Sequence, residues 1–203
     1  NWPLTAAEST VRGARSSSAL DGGGIALEGA SGAVDPVLAG ALRAGQAIEG
    51  GATNLVGTWP RAPLQALARL HALAATDLVD DDAALGRPRP SPEVVSRLDL
   101  MTRLVTGGSN APAPVLAAVA HGEMLALNPF GTADGVVARA VSRLVTMASG
   151  LDPHGLGVPE VYWLRRPDQY REAAAAFAGG QPDGVAAWLL MCCGALEDGA
   201  REA

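Results

Sequence analysis

Apolar residues in this chain recur at helical spacing and almost nowhere alternate. After Pro92, residues Val94, Leu98, Met101 and Val105 fall on one stripe while Arg97 and Arg103 lie off it, the 3.6-residue period of an amphipathic helix. Proline marks where such stretches begin. Asp35-Pro36, Ala62-Pro63, Ser91-Pro92, Ala113-Pro114, Arg166-Pro167 and Gln181-Pro182 each precede an apolar, helix-compatible run. Proline loses nothing at the first helical position, because its missing N–H would have found no partner there. With further helices after Trp2 and Gly135, these segments predict an all-α helical bundle with at most a short β-hairpin. Five pieces rich in Gly, Pro, Ser or Asp read as connections: 16–31, 50–59, 76–91, 107–112 and 150–159. No internal repeat divides the chain. One domain is expected, in which residues 1–34 supply an N-terminal helix and a Ser/Gly-rich segment and residues 35–203 the helical body.

Composition narrows the class. The chain has 203 residues, 48% hydrophobic and 18% charged, enough for a sizeable core and too apolar for a disordered chain. No apolar run is long enough to span a membrane, and the two adjacent Cys read as thiols of a reducing compartment, with the cytoplasm as the expected default. Net charge is −6, and all 15 basic residues are Arg. An acidic chain without a basic stripe is poorly suited to nucleic acid or anionic membranes, and a chain without Lys cannot form a Walker A loop. Cys192 and Cys193 are adjacent, with neither CxxC spacing nor a neighbouring His; buried apolar thiols fit better than a metal site, and no metal is expected. The Asp80-Asp81-Asp82 run reads as a solvated loop.

The most informative stretch runs from Val115 to Arg139, VLAAVAHGEMLALNPFGTADGVVAR. It reads as a buried helix, a Gly-containing loop, and the opening turns of a second helix ending on a fixed positive charge. A loop that opens a helix gathers unpaired N–H groups and the positive end of the helix dipole, which makes it an anion cradle. This layout resembles the signature of the Fic family, H-P-F-x-[DE]-G-N-G-R-x-x-R. On that pattern Asn128 stands at the His, Pro129 and Phe130 match, and Thr132 stands at the acid. Ala133 stands at the first Gly, Asp134 at the Asn, Gly135 matches, Val136 stands at the first Arg and Arg139 matches the last. His121 in LAAVAHGEM, the segment from Gly86 to Arg89, and the tail from Gly157 are also similar to the family, whose order of elements fits from Pro63 onward. Near the N-terminus, Ser17-Ser18-Ala19-Leu20-Asp21-Gly22 resembles the family's inhibitory motif, [ST]-x-x-x-E-[GN], with Asp in place of Glu.

The resemblance implies a Fic-like helical bundle related to enzymes that transfer AMP from ATP to a hydroxyl side chain of a target protein. It implies ATP and Mg²⁺ as ligands, Asp134, Gly135 and Arg139 around the nucleotide, and an inhibitory pair between Asp21 and Arg139. Asn128 and Thr132 occupy the two catalytic positions in altered form. Asn128 cannot take a proton near neutral pH, and losing a positioned base costs about 10²–10⁴-fold in rate. Thr132 offers Mg²⁺ a neutral hydroxyl, Val136 cannot clamp a phosphate, and Asp134 brings a negative charge beside the anion nest. The expected function is therefore a regulatory or binding pseudoenzyme acting on a protein partner. Two alternatives stand beside it: a residual transferase with a non-standard site, and a purely structural helical domain. Read without the resemblance, Asn128-Pro129-Phe130 is a helix stop with a buried plug, and Arg139 is a surface helix residue.

Overall fold

The computed structural model describes residues 1–28, 32–50 and 54–203. Parts of the expected connections 16–31 and 50–59 lie outside the described residues. Those described form ten α-helices and no strand: α1 (Trp2–Leu20), α2 (Pro36–Glu49), α3 (Leu55–Thr58), α4 (Pro63–Ala75), α5 (Pro92–Val105), α6 (Ala113–Leu127), α7 (Asp134–Ala148), α8 (Pro159–Leu164), α9 (Pro167–Ala178) and α10 (Pro182–Arg201). A single 3₁₀ turn, Asp82–Ala84, interrupts the connection between α4 and α5. All six X-Pro steps open helices, and the all-α expectation holds.

Two boundaries differ from the sequence expectation. α1 runs on through the serines to Leu20, although three consecutive serines are weak helix formers. Tertiary partners hold them: Ser18 Oγ donates to the Gly24 carbonyl at 2.7 Å, and Ser17 Oγ accepts from Arg139 Nε at 2.7 Å. The second departure is α3, a single turn capped by the Asn54 side chain, which accepts from the Gly57 N–H.

α6 is central because it is apolar nearly all round, its one charged residue, Glu123, being paired with Arg97 at 2.9 Å. Its Ala117, Ala120 and Met124 join a large core with residues of α2, α4, α5 and α7, including Leu38, Leu70, Leu98 and Leu144. On the other side Ala118 joins a smaller aromatic core of Trp163, Tyr170, Phe177 and Trp188 from α8, α9 and α10. Small residues make this two-sided contact close: a Cβ on Gly122 would lie 2.7 Å from both the Phe177 ring and Trp188 Nε1. The Trp188 indole N–H donates to the Ala118 carbonyl at 2.7 Å, so this large ring is buried with its polar edge satisfied. α6 and α7 thus present the loop between them on a rigid base.

Candidate functional site

The loop between α6 and α7 is built on left-handed backbone. Asn128 ends α6 at φ 42° and ψ 60°, Gly131 has φ 78°, and Ala133 opens α7 at φ 55°. Asn tolerates that region and Gly favours it, whereas Ala is strained there. Underneath, Phe130 is buried and stacks on His71, with ring centroids 4.0 Å apart and planes 7° apart. His71 is itself buried, and its Nδ1 accepts from the Gly86 N–H at 2.8 Å. Burial lowers its pKa, so it props the loop as a neutral ring.

Arg89 fastens the loop from outside. Its guanidinium donates to the carbonyls of Leu127 (2.8 Å) and Asn128 (3.0 Å), and its backbone N–H donates to the Pro129 carbonyl at 2.7 Å. A cation at a helix C-terminus satisfies the last carbonyls and complements the dipole. Asn128 is exposed at the mouth of the loop, and Thr132 lies half-buried within it.

The loop is also closed on itself from within. Asp134, the first residue of α7, turns back so that Oδ1 accepts from the Phe130 N–H at 3.0 Å and Oδ2 from the Gly131 N–H at 2.6 Å. Its charge was expected to stand beside the nest; the carboxylate instead sits in it. Burial raises the Asp134 pKa, while the two amides and the Arg89 charge oppose that rise.

A second carboxylate closes the other approach. Asp21 follows α1, where Gly22 turns left-handed at φ 81°. Its carboxylate lies against the first turn of α7, where a Cβ on Gly135 would come within 2.5 Å of Asp21 oxygens. A side chain at Gly135 would have to push the Asp21 carboxylate aside. Asp21 Oδ1 accepts from Arg139 at 2.7 Å. Arg139 is not a surface residue: only 2% of it is exposed, and its guanidinium also donates to Ser17 Oγ, to the Ser17 carbonyl at 3.0 Å and to Tyr170 Oη at 3.4 Å. Burial pulls the Arg139 pKa down, but the Tyr170 oxygen and the Asp21 carboxylate outweigh it and hold the value above the ordinary one. Asp21 keeps 27% of its side chain exposed, so the pair is anchored in the core at one end and reaches solvent at the other. The structure thus brings Ser17, Asp21, Gly22, Gly135 and Arg139 together.

Behind Arg139 the chain of contacts continues to His121, whose Nε2 lies 2.7 Å from Tyr170 Oη. His121 is wholly buried and edge-on to Trp163 and Trp188, with centroids 4.6 and 4.9 Å away. Burial first, and the Arg139 charge second, drive its pKa well below the ordinary value. Burial likewise pushes the Tyr170 hydroxyl up to about 12. With Arg139 donating to the Tyr170 oxygen, the phenol proton points to Nε2 of a neutral imidazole. Arg89 and Tyr170 lie in segments that the sequence marks as family-like, but their contacts with this loop and with Arg139 arise only through the tertiary fold.

The fold has a counterpart among solved structures. A Fic family protein from Desulfovibrio desulfuricans G20 superposes with a TM-score of 0.70, over 96% of this chain and 64% of that one, at 19% identity. The fold is Fic-like. At that identity the likeness establishes the fold alone, and the chain spans less than two thirds of the length of its Fic neighbour. No protein-family model matches the sequence, and no curated protein does. No group of His, Cys, Asp or Glu among the described residues could hold a metal ion, and no described helix is long and apolar enough to cross a membrane. Cys192 is buried and Cys193 half-buried, both free; burial raises the Cys192 pKa and favours its neutral thiol.

Proposed function

We propose that this Fic-like domain is a regulatory pseudoenzyme: a binding module that keeps the fold, fills its own nucleotide cradle and transfers no AMP. The observation that carries the reading is the Asp134 carboxylate on the amides of Phe130 and Gly131. Those N–H groups belong to the loop that leads into α7, and the carboxylate they hold stands at the helix N-terminus, where an anion would otherwise be favoured. A tethered carboxylate occupies them without the entropy cost that a free nucleotide meets on binding.

The residues around the cradle fit ATP and Mg²⁺ poorly. Thr132 is a neutral ligand for a hard cation. Val136 is 2% exposed within the main core, so the cationic clamp of the family pattern is replaced by packing. Arg139 donates to Ser17, Asp21 and Tyr170 and presents its charge inward. Asn128 cannot act as general base. What the domain offers a partner is the loop surface itself, braced by Arg89 and His71, and the partner is proposed to be a regulatory protein.

The test is transfer of label from α-labelled ATP, with Mg²⁺ and a cell extract, by the unaltered protein. No labelled protein is expected above the background of extract alone. Clear labelling that disappears in Arg139→Ala would instead establish a residual transferase and overturn the reading.

A further inference from the structure

At the far end of α6 and α7 from the loop, about 20 Å along the helices at 1.5 Å per residue, the fold leaves a cavity of about 520 Å³. It lies between the start of α6, the second half of α7, the 151–157 segment and the C-terminal half of α10. Its size falls in the range of small-molecule sites, about 300–1,000 Å³. Its walls are largely apolar, with Pro114, Leu151, Leu156 and Leu196 prominent. We propose that this cavity binds a small amphiphile with a short aliphatic body and a cationic ammonium head, the head facing Asp152.

The charges lining the cavity decide the sign of that head. Arg143 lines it, but its guanidinium is answered by Glu160 at 3.3 Å and by the carbonyls of Gly155 (2.9 Å) and Gly157 (3.0 Å). Glu197, at the mouth, has Arg201 within 3.9 Å. Asp152 remains: it accepts the N–H groups of Leu156 (3.0 Å) and Gly157 (2.9 Å) and forms no ion pair among the described residues. Each carboxylate oxygen can accept a further hydrogen bond. An ammonium there gains a charge-assisted bond while its alkyl chain replaces water against apolar walls. A carboxylate head would meet Asp152 as a like charge. Ser142 and Cys193 add polar edges without altering that preference. Neither Asp134 nor Arg139 lines this cavity, so the site stands whether or not the loop is silent.

Calorimetric titration with n-octylamine and with octanoate, both below their aggregation limits, tests the assignment. Octylammonium is expected to bind one-to-one, with octanoate weaker by at least about tenfold. Asp152→Asn should erase that preference. Ala200→Phe, a change on an exposed wall residue, should abolish binding of both with the melting temperature unchanged. The proposal is overturned if octanoate binds as well as the amine, if neither binds, or if Ala200→Phe leaves binding intact. A concentration-dependent dimer that Ala200→Phe dissolves would assign the face to a second copy of the chain, and would overturn it equally.

Discussion

Ala133 holds the clearest strain in the loop. An L-residue in left-handed backbone costs about 1–2 kcal/mol, and glycine escapes that cost while losing about 0.5–1 kcal/mol to its greater unfolded-state freedom. At φ 55° the balance favours glycine, so Ala133→Gly should stabilise the protein by about 0.5–1 kcal/mol. In a chain of this length the melting temperature should rise by about 1–4 °C; a fall would show that the Ala133 methyl packs in a way the backbone argument misses. At this scale the sequence was half legible. Position in a pattern located Asn128, Thr132, Asp134 and Arg139 along the chain, and it paired Asp21 with Arg139. It could not tell whether the Asp134 carboxylate would repel a guest or take the guest's place, because rotamer and loop backbone decide that. Tyr170, 31 residues from Arg139, has no local mark at all.

At the scale of elements, a cluster around Arg139 ties the end of α1 to α7. Ser17 and Asp21 reach across to Arg139, and Tyr170 from α9 completes the set. Removing one partner of a fully buried pair costs about 3–5 kcal/mol; with Asp21 partly exposed, Asp21→Ala is expected to cost about 1–3 kcal/mol in urea unfolding. Asp168 offers the contrast. It pairs with Arg171 at 3.0 Å, but both side chains are largely exposed, and Asp168→Ala should change stability by less than about 0.5 kcal/mol. Equal effects would mean that burial of Arg139 does not strengthen the contact. Helix starts were legible because Pro36, Pro63, Pro92, Pro114, Pro167 and Pro182 announce them chemically. The end of α1 was not, because Ser17 and Ser18 are held in the helix by partners at Arg139 and Gly24 rather than by propensity.

The whole molecule carries a pH dependence set by buried histidines. His121 and His71 both have pKa values lowered by burial. Unfolding frees them to bind protons near pH 6.5, so the unfolded state takes up more protons as the solution is acidified. Stability from each is whole above its unfolded pKa and falls as pH drops toward its lowered folded value. His121 should therefore make the protein less stable as pH falls from 7 to 5, by no more than about 1.4 kcal/mol per pH unit. A urea midpoint that is flat over that window would contradict its burial as a neutral ring. The helical architecture was legible as a whole, since six proline-started segments, with further helices after Trp2 and Gly135, leave few other folds. What the far end of α6 and α7 encloses was not, because a cavity arises from four separated segments. The central claim, a cradle filled by its own carboxylate, is tested most directly by the backbone amide resonances of Phe130 and Gly131 during titration with ATP–Mg²⁺. In the unaltered protein they should stay in place, and in Asp134→Ala they should shift measurably as nucleotide is added. Saturable shifts of both amides in the unaltered protein would show that nucleotide displaces Asp134, and would contradict the account.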